Sequence, residues 1–185
     1  MSNLYVYLIR SRNKDNKDIP NFKERAKTIL EYKDNEDKVI EVFKDFATKI
    51  VDPFANSNKL ATVTNDLDTQ YDTDYHMDAL DFLKIFDDSS VDTVLYDPPY
   101  SPRQVSECYK NLGQTVNMQT TQASYWSKQK EQIGRIVKKD GIVITCSWNS
   151  GGIGKKYGFE IQEILLVPHG GWHNDTIVVV EKKIE

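Results

Sequence analysis

The alternation of apolar and polar positions divides the chain into short blocks. Leu4-Tyr5-Val6-Tyr7-Leu8-Ile9 is apolar and β-prone, and residues 11–20 that follow are polar and rich in turn formers. From Asn21 to Lys33 and from Glu36 to Ala47 the apolar residues Ile29 and Leu30, then Val39, Ile40, Val42, Phe43 and Phe46, recur at helical spacing, which predicts two amphipathic helices. Beyond them the period shortens. β-prone runs cover Lys49 to Val51, Leu60 to Thr64, Val91 to Tyr96, Gly141 to Cys146, Ile161 to Val167 and Thr176 to Val180. Several are nearly continuous apolar runs, as strands of a parallel sheet buried on both faces require.

One helical stretch, Thr121 to Lys138, carries Trp126, Ile133, Ile136 and Val137 as apolar positions and suits a crossover packed on a sheet. The last two runs are joined by residues 168–174, too few for a helical crossover but enough for an antiparallel hairpin. The pattern therefore predicts a single α/β domain over residues 1–185, with an N-terminal helical extension (1–48) and an α/β core (49–185) whose mostly parallel sheet ends in a hairpin. No repeat or low-complexity linker marks a second domain.

Composition narrows this picture. A formal net charge of -4 argues against a protein that coats polyanions, since nonspecific nucleic-acid affinity comes from Lys and Arg. Any nucleic-acid contact must be local. Cys108 and Cys146 stand far apart with no His or Cys at ligand spacing, so no metal and no disulfide framework is expected. No run is long and apolar enough for a membrane span and no signal-peptide pattern opens the chain, so a cytosolic protein is expected.

The sharpest chemical signal is Asp97-Pro98-Pro99-Tyr100, directly after the apolar strand that ends at Tyr96. Ligands of open α/β sheets bind beyond the carboxyl ends of strands, where this tetrad falls. An exocyclic amino group is a poor nucleophile because its lone pair is delocalised into the ring. The Asp97 carboxylate can accept one amino hydrogen and a Pro-Pro carbonyl the other, with proline fixing where that carbonyl points. Tyr100 can stack on a base that has left its duplex or was already unpaired. The alternative is a rigid strand-to-loop turn with a packed aromatic ring.

The tetrad, its strand and the following Ser101-Pro102 resemble the catalytic motif of the S-adenosylmethionine-dependent DNA amino-methyltransferases, in the form common among N6-adenine enzymes. Upstream, Asp52-Pro53-Phe54-Ala55 is similar to the family's first cofactor motif, with Asn56-Ser57-Asn58 where a Gly-x-Gly turn is usual. Asn is the non-glycine residue that best tolerates positive φ, so the turn remains feasible. Asp66, and after it Asp68, stand at the end of the second strand, where nucleoside-binding folds place a carboxylate for ribose hydroxyls; a solvated polar loop is the competing reading. Asp78 and Ala79, in Tyr75-His76-Met77-Asp78-Ala79-Leu80, resemble the motif that meets the cofactor's adenine.

The resemblance covers roughly residues 49–181 and implies a Rossmann-like class I methyltransferase fold that moves a methyl group from S-adenosyl-L-methionine to adenine N6 in DNA. Alternatives are an RNA adenine or DNA cytosine-N4 enzyme, a glutamine methyltransferase, or a noncatalytic partner subunit. The segment from Ser101 to Gln122 reads as a polar surface loop, with Arg103 and Lys110 as phosphate contacts and Tyr109 or Tyr125 as stacking surfaces. Trp148 is expected to border the base pocket or to pack in the core. Little length remains for a target-recognition region, so a homodimer, a separate recognition subunit, or an unpaired substrate is implied. This short form resembles enzymes of phages and other mobile elements.

Overall fold

A computed structural model describes residues 49–113, 122, 124–169 and 174–185. The two N-terminal helices expected over residues 21–47 lie outside the described residues. Six strands form one sheet: β1 (Ile50–Asp52), β2 (Val63–Thr64), β3 (Val91–Tyr96), β4 (Val137–Ser147), β5 (Phe159–Val167) and β6 (Thr176–Lys183). Their order is β2-β1-β3-β4-β6-β5, with the first four parallel and β6 antiparallel to both β4 and β5. The expected mixed sheet with a C-terminal hairpin is therefore present.

The buried runs explain the placement of the strands. Ile50 and Val51 of β1 and Val91 and Val94 of β3 are fully buried, as central parallel strands must be. The run read as Leu60 to Thr64 forms strand only at Val63–Thr64. Leu60 and Ala61 are buried without joining it, while Thr62 both donates to and accepts from the Ile50 backbone. Beyond β2 the sheet continues as a single parallel bridge between Asn65 and Tyr75. β4 begins directly after its helix. Val137 pairs with Val91, the chain then turns through Asp140 at φ +65°, and Ile142 pairs with Thr93.

Among the described residues three α-helices accompany these strands: α1 (Ala79–Lys84), α2 (Pro102–Asn111) and α3 (Ser124–Ile136). Phe82 and Leu83 of α1 and Ile133 and Ile136 of α3 share one core cluster with Val51, Val94, Tyr96 and Val143 of the sheet. The polar loop expected from Ser101 onward is corrected: residues 102–111 are helical. Ser101 caps α2 by accepting from the Gln104 amide, Pro102 fills the first turn, and Val105 and Tyr109 form a narrow buried stripe. No helix among the described residues is long and apolar enough to cross a membrane.

Candidate active site

The strand order reverses at β1, with β2 on one side and β3 on the other, and a cavity of about 470 Å³ opens at the carboxyl ends of these strands. Its wall on the β1 side is Pro53, Phe54 and Asn56; on the β2 side it is Asp66, Leu67 and Asp68. Asp97, Pro98, Pro99 and Tyr100 line it from the end of β3, and Gln104, Cys108 and Tyr109 from α2. Ala79 and Tyr125 also line it. Thus three of the four sequence motifs meet along their own lengths, and the fourth contributes Met77 and Ala79.

The β1 turn has the conformation that an asparagine tolerates. Asn56 sits at φ +50°, its amide donates to Asp66 Oδ2 at 2.9 Å, and its Oδ1 accepts from the Ser57 amide at 2.7 Å. Asp66 also accepts from the Asp68 amide at 2.9 Å, so its carboxylate links the two loops facing the cavity. Asp68 accepts from the Gln70 amide and side chain. Both acids line the cavity.

Asp52 and Ala55 lie behind this wall, buried. Asp52 Oδ1 accepts from the Phe54 amide at 3.0 Å. Burial pushes its carboxyl up to about 7, against that hydrogen bond, and the nearby charges of Asp97 and Asp66 push in the same direction. Asp78 is the N-cap of α1, accepting from the Leu80 amide at 2.8 Å and from the Tyr109 hydroxyl.

Asp97 opens onto the cavity but is ringed by protein on its other sides, and this desolvation raises its carboxyl above the usual range despite a hydrogen bond from Tyr100. The Tyr100 hydroxyl donates to Asp97 Oδ1 at 2.5 Å. Oδ2 meets no donor among the described residues. The Tyr100 ring lies edge-on to Trp148, with centroids 5.6 Å apart. Trp148 therefore borders the tetrad through Tyr100 and does not itself line the cavity. The Pro99 carbonyl accepts from the Trp126 indole at 2.9 Å, whereas the Pro98 carbonyl meets no donor among the described residues.

Arg103 and Lys110 do not line the cavity. On α2 they share a stripe with Glu107, and Arg103 pairs with that residue at 2.7 Å. The neighbouring stripe, Gln104, Cys108 and Asn111, faces the cavity instead. Tyr109 and Tyr125, read as stacking surfaces, both line it. Burial pushes the Tyr125 hydroxyl up to about 12.

Sequence reasoning gave no role to Asn65, which is 1% exposed and central to the site. Its side-chain amide donates to the Pro53 and Met77 carbonyls at 3.0 Å each, and its Oδ1 accepts from the Met77 amide at 3.0 Å. Its backbone accepts from Ala55 and donates to Asp52, both at 2.9 Å. An asparagine at a strand end was the available signal, but its partners come from loops that only the fold brings together.

No protein-family model matches this sequence, and no curated protein is similar to it in sequence. Solved structures are similar in fold. The 1,6-didemethyltoxoflavin-N1-methyltransferase of Burkholderia thailandensis, crystallised with 1,6-didemethyltoxoflavin and S-adenosylhomocysteine, superposes with a TM-score of 0.50 at 10% identity, covering 87% of each chain. TrmN from Thermus thermophilus gives 0.47 at 16% identity over 79% of this chain and 48% of its own, so this chain spans about half its length. The N-methyltransferase NodS from Bradyrhizobium japonicum WM9 gives 0.49 at 7% identity over 84% of this chain and 98% of its own. The fold is the Rossmann-like fold of class I methyltransferases.

Proposed function

We propose that this chain, built on the class I methyltransferase fold, transfers a methyl group from S-adenosyl-L-methionine to the exocyclic amino group of a nucleic-acid base, adenine N6 in DNA. The observation that carries this reading is that Asp97 and Pro98 both line the cavity, with Asp97 Oδ2 and the Pro98 carbonyl each without a donor among the described residues. Two free acceptors on adjacent residues are what an NH2 group calls for.

The cavity suits the donor by its chemistry. Its walls carry the carboxylates Asp66, Asp68 and Asp97 together with Phe54, and no Lys, Arg or His stands among its described lining residues, which suits a ligand with a cationic sulfur. Pro53, Phe54 and Asn56 would hold its methionine end, Asp66 and Asp68 its ribose, and Ala79 would leave space beside its adenine, with Asp78 serving through the cap of α1. Asp52 and Ala55 support the first loop from behind. Bound there, the donor supplies a methyl group on a positively charged sulfur.

The chain's own residues prepare the acceptor. Asp97 and the Pro98 carbonyl take the two amino hydrogens, which draws the lone pair out of conjugation and points it away from both acceptors. The raised affinity of Asp97 for protons suits it to receive the proton that the methylated amine sheds. Tyr100 exchanges its hydrogen bond to Asp97 for a stacking contact with the base, beside Trp148. Arg103 and Lys110, on the outer stripe of α2, would meet phosphates outside the cavity, Arg103 leaving Glu107 to do so.

Tritiated S-adenosyl-L-methionine incubated with separate pools of duplex DNA, single-stranded DNA and RNA tests this reading through nucleoside chromatography. Label is expected in N6-methyladenine, and Asp97→Ala should reduce it by roughly 10²- to 10³-fold while leaving donor binding within a few-fold. Label in RNA alone or in N4-methylcytosine would replace the substrate. Donor binding without label in any pool would point to a missing partner subunit, and absence of donor binding would overturn the reading.

A further inference from the structure

Two adjacent prolines leave the tetrad's backbone short of anchors. Neither Pro98 nor Pro99 has an N–H, so this part of the turn can be held only through its carbonyls and through the Tyr100 amide. The amide of Tyr100 donates to Gln104 Oε1 at 2.7 Å, and the Pro99 carbonyl accepts from Trp126 Nε1 at 2.9 Å. These two groups are the two ends of one peptide unit. A planar peptide held at both its C=O and its N–H has a fixed orientation.

That fixed plane controls the neighbouring carbonyl. Between it and the Pro98 carbonyl lie only the ψ of Pro99 and a φ that the pyrrolidine ring already locks. The orientation of the Pro98 oxygen, and its spacing from the Asp97 carboxylate, therefore depends on the clamp at Pro99. Trp126 is well supported for that task. It stands in the first turn of α3, half-buried, and packs edge-on against Tyr125 with centroids 5.3 Å apart. One turn later, fully buried Gln129 accepts from the Tyr96 hydroxyl at 2.8 Å, so α3 grips the end of β3 and the loop that follows it at successive turns.

We propose that Trp126 is a positioning residue, whose indole N–H clamps the Pro99–Tyr100 peptide and thereby sets the Pro98 carbonyl against the Asp97 carboxylate as a paired acceptor for the substrate amine. The inference rests on the amino-methyltransferase reading. Trp126 touches no reacting atom; it acts through the backbone.

Trp126→Phe keeps an aromatic ring against Tyr125 and removes the donor. With wild-type activity established, this variant should lose about 10- to 100-fold in kcat, as a loosened reacting geometry does, with KM for the nucleic acid and Kd for S-adenosyl-L-methionine unchanged within about twofold. Trp126→His, which keeps a ring N–H, should recover part of the loss. In 15N-labelled wild-type protein the Trp126 indole proton, assigned by its absence from the Trp126→Phe spectrum, should exchange with deuterium more slowly than a free indole. Wild-type kcat in an active Trp126→Phe enzyme, or an indole proton exchanging at the free rate, would overturn the clamp alone. A wild-type protein that neither binds S-adenosyl-L-methionine nor transfers its methyl group would instead overturn the function on which it rests, and the role with it.

Discussion

Asp52 is the residue whose burial has the clearest energetic consequence. It is 3% exposed, accepts a hydrogen bond from the Phe54 amide, and has a carboxyl pushed up to about 7 by burial. An acid whose folded pKa exceeds its unfolded value near 3.8 is stabilising in its protonated form only. Its ionisation therefore costs the fold nothing below the unfolded value and progressively more as pH rises towards 7, reaching roughly 4 kcal/mol above it. Asp52→Asn keeps the acceptor for Phe54 and removes the titration. The variant should melt at a higher temperature than wild type at pH 8, and that advantage should shrink by more than half at pH 5, a comparison that calorimetry at the two pH values would decide. Part of this site was legible one residue at a time. A positive φ at Asn56 follows from what asparagine tolerates, and the exposure of Asp97 to a ligand follows from its place after a buried strand. The partner of Trp126 was not legible, because an indole and a carbonyl 27 residues apart meet only once α3 is docked.

At the scale of elements, periodicity located the central strands well because burial on both faces leaves an unbroken apolar run, as in Val91–Tyr96. It extended β2 too far, since Leu60 and Ala61 are apolar for burial in the loop and not for pairing. It passed over α2, whose buried face is only Val105 and Tyr109 within ten residues; the Ser101 cap and Pro102 were the better signals. What no single element encodes is how the strand ends are tied together, and that task falls to Asn65. Its side chain satisfies the Pro53 carbonyl after β1 and both backbone groups of Met77 before α1. Asn65→Ala strands these three groups in a buried setting and should lower stability by about 2–4 kcal/mol, read as a shift of the urea midpoint with an unchanged slope. Asn65→Asp keeps the acceptor for Met77 but loses both donors, so it should rescue little of that loss.

Across the whole molecule, the sheet topology gathers charge as well as motifs. The reversal of strand order at β1 brings the carboxylates of Asp66, Asp68 and Asp97 to one cavity, with Asp52 behind them, although they come from three separate strand ends. A formal net charge of -4 adds a background of the same sign. S-adenosyl-L-methionine and its product S-adenosylhomocysteine share their nucleoside and amino-acid groups and differ by one methyl group and one positive charge on sulfur. At an effective dielectric near 20, a unit charge about 6 Å from a carboxylate is worth ~3 kcal/mol, and each 1.4 kcal/mol is tenfold in affinity. The acidic cavity should therefore hold the donor about tenfold or more tighter than the product at pH 8, once desolvation of the sulfonium offsets part of that attraction. Protonation of Asp52 below pH 7 removes one of the charges, so the ratio of the two affinities should fall between pH 8 and pH 6. Titration calorimetry with both ligands at both pH values measures that ratio, in which the ionisation of their common amino group largely cancels. Equal affinities at both pH values would mean that the clustered carboxylates do not sense the sulfur, and would turn the search for the donor's contacts from charge to the shape of the Phe54 and Asn56 wall.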